Sequence, residues 1–189
     1  MKKFLPLLLC LLLCLVAVTV TAEDEEQVKA VKAVDWNELA KFLPEAIEGM
    51  RTGKLEGGSL SIPDPDNPQQ PFSYSSVERR FKAETKADES KSITVRIWDS
   101  GFNQLLMAPF MMAFEFDGPD GSVKTIEIKK QKAKLITNKD EGVLESCQVI
   151  VLVAERILVS VEGDELTTVE EIILLAEKID YDKLAALVK

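Results

Sequence analysis

Met107, Met111 and Met112 fall at helical spacing within Gly101–Phe116, and the ten residues from Leu105 to Phe114 carry no charge. Thioethers are soft ligands, so three on one face could hold Cu(I). Unbranched methionine also repacks easily, so the same residues could form an adaptable apolar surface for a protein or a lipid. The third reading is an internal helix hidden on a sheet, and it leads. Ten helical residues reach only about 15 Å, too short for a bilayer. Pro109 removes a backbone donor and disfavours helix at Ala108. The expectation is that Leu105, Leu106 and Phe110 pack inward. Met107, Met111, Met112 and Phe114 are then the candidate apolar binding patch, and any protein or lipid partner docks through Leu105–Phe116.

The other reactive side chains offer less. Histidine is absent, which removes Ser-His-Asp and Cys-His catalysis and His-ligated metals. No phosphate loop, nucleophile elbow, G-x-G-x-x-G or C-x-x-C is present, and no cofactor is implied. Asp64-Pro-Asp-Asn67 lacks the glycine and distal glutamate of a calcium loop and reads as a proline-stiffened turn. Cys147 has neither a histidine to activate it nor a cysteine to resolve it, so it reads as a small buried hydrophobe. Arg79 and Arg80 are neighbours on a strand and point to opposite faces, so only one can serve a shared site. Carboxylates are plentiful, which keeps open a carboxylate-dependent hydrolase as the alternative to a non-enzymatic module. The 6% aromatic content gives little for stacking sugars, and 32 Asp+Glu against 23 Lys+Arg repel phosphate backbones, so nucleic acid is not a partner.

Before this machinery lies an address. Met1-Lys2-Lys3 precedes an uncharged run from Phe4 to Ala22 that ends in Val20-Thr21-Ala22. Lysines, an apolar stretch and small residues at the last and third-last positions describe a secretory signal peptide, cut after Ala22. A retained anchor and a lipidated cysteine rank below it, because Leu9 and Leu13 precede Cys10 and Cys14. Cleavage leaves 167 residues with a net charge of −11. Only Cys147 then remains, so an intramolecular disulfide is impossible in an oxidising compartment. Export without disulfides indicates a bacterial periplasmic or extracellular protein.

The elements that position these residues follow from periodicity. Residues 23–34 read as a charged spacer. Asp35 caps a helix bearing Trp36, Leu39, Ala40, Leu43, Ile47 and Met50, interrupted and restarted at Pro44. Residues 52–71, rich in glycine and proline, read as a loop with a short edge strand at 59–62. Alternation predicts strands from Phe72 to Thr85 and from Ser92 to Ser100, paired as a hairpin. Further strands fall at 123–130 and 133–137, with lysines facing out. The apolar runs 144–153 and 157–161 are central strands joined by a tight turn. Thr167 or Thr168 with Glu170 and Glu171 caps a helix bearing Val169, Ile172, Ile173, Ala176 and Ile179, and Asp180 caps a last one. The expected fold is one α+β domain over 35–189. It is a meandering antiparallel sheet of about six strands, with N- and C-terminal helices and the inserted apolar helix packed on one face.

The pieces LPEAIEGM, FSYSSVERRF, ITVRIWDSG, MAPFMM, VLVAERILVSVEG and IDYDKLAAL resemble a group of small exported bacterial proteins of unknown function. The resemblance covers most of the chain after the signal peptide. It implies one exported α+β domain and carries no site residue.

Overall fold

In the third strand, Ile93, Val95 and Ile97 are buried on one side while Thr94 and Arg96 take the other. The same period-two alternation organises the whole molecule. The computed structural model describes residues 31–63, 72–85, 90–101, 104–112, 114–165 and 168–188. Eight strands form one antiparallel sheet: β1 (Met50–Ile62), β2 (Phe72–Ala83), β3 (Ser92–Asp99), β4 (Phe116–Gly118), β5 (Gly121–Ile128), β6 (Gln131–Asp140), β7 (Val143–Val153) and β8 (Ile157–Asp164). Among the described residues, four short helices accompany them: α1 (Trp36–Ala40), α2 (Gln104–Met111), α3 (Glu170–Glu177) and α4 (Tyr181–Ala186).

The sheet order is β1-β2-β3-β8-β7-β6-β5-β4. An antiparallel sheet with helices is therefore what the sequence led one to expect, but the architecture differs in three ways. The described residues form eight strands rather than about six, and their helices are short, so the fold is mostly β. Two meanders, β1–β3 and β4–β8, meet where β8 returns beside β3, in place of a single meander. The inserted helix α2 packs on the face opposite to the other helices.

Residue parity defines the two faces. Val149, Val151, Val153, Ile157, Val159, Val161, Val77 and Phe81 join Leu39 and Leu43 from the N-terminal segment and Ile172, Leu175, Ala176, Tyr181 and Leu184 from α3 and α4 in the main core. Their neighbours Ile150, Leu152 and Leu158 point the other way and form a second, smaller cluster with Met107, flanked by Trp98, Phe110 and Ile136. Strands buried on both sides read as continuous apolar runs rather than alternations. That is why β7 and β8 are unbroken stretches of Ile, Leu and Val, and they lie in the interior of the sheet as expected.

The glycine-rich segment expected as a loop is the thirteen-residue strand β1. Gly53 and Gly57 mark close approach rather than a turn. A Cβ at Gly57 would run into the indole of Trp36, which lies across the strand there. The helix expected to restart at Pro44 does not form: α1 ends at Ala40, and Met50 already belongs to β1. Leu39, Leu43 and Met50 are nonetheless all core residues. Asp35 caps α1 by accepting the Asn37 amide at 2.8 Å, and Asp180 caps α4 by accepting the Lys183 amide at 3.1 Å. The N-cap of α3 is Val169, without a side-chain cap; Thr167 lies outside the described residues.

The expected spacer, residues 23–34, belongs in part to the fold. Its first eight residues, the signal peptide, and Asp64-Pro-Asp-Asn67 lie outside the described residues. Residues 31–34 are strapped to the ends of β2, β3 and β8. The Val31 amide donates to Gly101 O at 3.2 Å, Ala33 N to Ser73 Oγ at 2.8 Å, and Val34 N to Asp99 Oδ2 at 2.8 Å. Gly101 sits at φ +59, where its missing side chain leaves room for the Val31 carbonyl.

Candidate functional site

The β3–β4 connection must cross the second face from the middle of the sheet to its far edge, and α2 is that crossing. Its apolar character follows, because it covers Ile150, Leu152 and Leu158. Met107 is the plug: it is 1% exposed and sits among these three side chains. The expectation that Met107 belongs to a surface patch is therefore corrected. It points from α2 onto the sheet, although the four-residue spacing sets it on the same helical face as Met111, which is the last residue of the helix and is exposed. Phe110 packs against the same cluster as expected. The side chains of Leu105 and Leu106 lie outside what the structure describes.

Met111, Met112 and Phe114 are exposed, as expected, and Met112 is 64% exposed. Phe116 of β4, not singled out in the sequence, extends the patch and is 52% exposed. Four large apolar side chains within six positions thus stand in solvent beside a helix whose other side is sealed. The methionines do not converge, since Met107 is buried and Met112 exposed, so a three-thioether copper site is not assembled.

A lysine anchors the patch from beneath. Lys134 of β6 is buried, and its Nζ donates to Phe114 O at 3.1 Å and to Thr125 Oγ1 at 2.9 Å. The same ammonium lies 4.4 Å from the Phe114 ring centroid, a cation–π contact. Burial pushes its pKa below the usual lysine value, and the nearby Glu115 carboxylate partly opposes that. This corrects the expectation that the β6 lysines face solvent. Alternation does turn Lys134 away from the core side of Ala133 and Leu135, but the chain after α2 covers that outer face. The fixed ammonium orders the Phe114 backbone, so the exposed rings are presented on a pinned segment.

Beyond α2, the same face is polar. Glu78 pairs with Arg96, directly opposite across the β2–β3 ladder. Arg80 donates to Ser92 Oγ at 3.0 Å, and that hydroxyl donates to Asp164 Oδ2 at 2.9 Å. Arg79 points to the other face and donates to Pro44 O, so only one arginine of the adjacent pair serves this row. Glu162 lies half-buried between these charges. Its pKa is raised by burial first and then by Asp164, with Arg96 and Arg80 opposing.

A cavity of about 630 Å³ opens between the strap and the β1–β2 hairpin. Small side chains create it: Ser59, Ser61, Ser73 and Ser75 stand where larger core residues would fill the volume. Ser73 and Ser59 accept the Ala33 and Trp36 amides, and Ser59 and Ser75 bond each other at 2.6 Å. The Ser73 hydroxyl is therefore occupied in holding the strap, and those of Ser59 and Ser75 in holding each other and the start of α1. Cys147 is buried in the main core, as expected, and burial raises its thiol pKa to about 11. Among the described residues, no group of three His, Cys, Asp or Glu side chains is placed to hold a metal, and no helix is long and apolar enough to cross a membrane.

No family model, no curated protein and no solved structure matches the chain.

Proposed function

We propose that the chain is an exported, non-enzymatic binding or accessory module of the bacterial cell envelope, working in the periplasm or outside the cell. Its partner is a protein that covers Met111, Met112, Phe114 and Phe116. One observation carries this reading: a pinned strip of large apolar side chains stands in solvent directly beside a fully buried neighbour of the same helix. Such patches on acidic, soluble domains mark contact surfaces. A protein is favoured over a lipid surface because a net charge of −11 after cleavage repels anionic headgroups. The lysine-led apolar N-terminus and Val20-Thr21-Ala22 support export, and the likeness to small exported bacterial proteins agrees with it.

A photo-crosslinker at Met112 in cells exporting the protein is expected to trap one discrete protein adduct. The same group at Val143, apolar and 70% exposed at the β6–β7 turn, is expected to trap none. Phe116→Asp abolishes the Met112 adduct, and vesicle flotation is negative. Indistinguishable adducts from both positions would remove the reading.

A carboxylate-dependent hydrolase is the second reading, and Glu162 beside Asp164 favours it, since a raised glutamate near a second carboxylate suits general acid catalysis. Against it, Glu162 lies in a row of charges on the sheet and lines neither the strap cavity nor the one beside α4. The expected outcome is no turnover of p-nitrophenyl esters and glycosides. Turnover that vanishes in Glu162→Gln with the fold intact would install the hydrolase instead.

A further inference from the structure

The two halves of the edge strand β1 are built differently. Up to Glu56 the edge carries Arg51, Lys54 and Glu56, with a bulge between Thr52 and Leu55. Charge and a bulge are the devices that keep exposed edges from pairing with other chains. From Gly57 to Ile62 there is neither: the sequence is Gly-Gly-Ser-Leu-Ser-Ile, and its register with β2 is regular. Leu60 and Ile62 are 52% and 49% exposed, opposite Tyr74 and the exposed Phe72. A main-chain edge that no other described strand pairs and an apolar side-chain patch therefore coincide on the same few residues.

We infer that this half of β1 pairs antiparallel with the same half of β1 in a second copy of the chain, about a twofold axis at Leu60 and normal to the sheet. That operation joins two eight-stranded sheets and keeps the helix-covered cores on one side. It sets Leu60 opposite Leu60, Ser59 opposite Ser61 and Ile62 opposite Gly58. A Cβ at Gly58 would meet nothing, so the space that Ile62 of the other copy needs is open. Each copy supplies what the other requires, which selects a second copy over an unrelated strand. The pairing is isologous and therefore closes at a dimer. The opposite edge, β4, is three residues long and offers no comparable ladder. The association is weak, because the paired stretch is short and both copies are strongly acidic.

Sedimentation velocity on the protein as secreted by a bacterial host tests this. The dimer fraction is expected to rise between about 10 μM and 1 mM, and to rise further as salt screens the mutual repulsion. Leu60→Lys and Ile62→Lys, both at exposed positions, are each expected to weaken the dimer at least about tenfold with melting unchanged. Met112→Asp is expected to leave the dimer intact, which separates this edge from the α2–β4 patch. A monomer throughout the range, a dimer that survives both lysine variants, or a dimer dissolved by Met112→Asp would each overturn the inference.

Discussion

Asp99→Ala is expected to destabilise the protein by about 3–5 kcal/mol, the usual loss when one member of a buried ion pair is removed. Asp99 is 0% and Arg156 5% exposed. The guanidinium grips the carboxylate bidentately, Nε to Oδ1 at 2.8 Å and Nη2 to Oδ2 at 2.7 Å. The carboxylate also accepts Gly101 N at 2.9 Å and Val34 N at 2.8 Å, while Arg156 Nη2 donates to Lys32 O at 2.7 Å. Alanine at 99 leaves a buried guanidinium without its counter-charge and orphans two amides. Arg156→Met on the Asp99→Ala background is expected to recover part of the loss by removing the unpaired charge, but not all of it, because the amides stay unsatisfied. Urea unfolding reads both changes. Hydrogen exchange at Val31–Val34 is expected to accelerate well before global unfolding in Asp99→Ala, because the strap hangs on this pair. A loss under about 1 kcal/mol would mean that water reaches the pair and that the strap is held elsewhere.

The second large effect separates the two sides of α2. Met107→Asp is expected to cost several kcal/mol, because it places an unpaired carboxylate among Ile150, Leu152 and Leu158. Met112→Asp, at a position 64% exposed, is expected to stay within about 0.5 kcal/mol of the parent. Phe110→Asp falls between, since Phe110 flanks the cluster from a half-buried position. Urea midpoints for the three variants give the order directly. Equal, severe losses would place Met112 in the core and leave no apolar face for a partner.

Much of this architecture was legible residue by residue. Alternation in Ile93, Val95 and Ile97 and in Val77, Phe81 and Ala83 located β2 and β3 and their pairing. Asp35 and Asp180 announced the starts of α1 and α4, because a short acidic side chain before an apolar stripe has one favourable use. β1 was hidden because glycine near a strand reads as a turn, and nothing local tells that Trp36 will need the space above Gly57. The β5–β6 and β7–β8 turns carry Lys129-Lys130 and Ala154-Glu155 at positive φ, without the Asn-Gly signal such turns usually show. There the paired strands impose the conformation.

The candidate site divides along the same line. Composition and order determined that the chain lacks imidazole chemistry and that Leu105–Phe114 must be shielded on some side. Periodicity also determined which strand residues share a face. It could not say what covers each face, because a period of two is the same whether the outer side meets water or a helix. Only the crossing of α2 over β6, β7 and β8 decided that Met107 is buried, that Met111, Met112, Phe114 and Phe116 are not, and that Lys134 lies beneath them. Likewise, no local pattern links Asp99 to Arg156, 57 positions apart. Their pairing exists because β8 returns to lie beside β3, and two charges deprived of water at the same sheet end are satisfied by each other, the strap and the Gly101 amide.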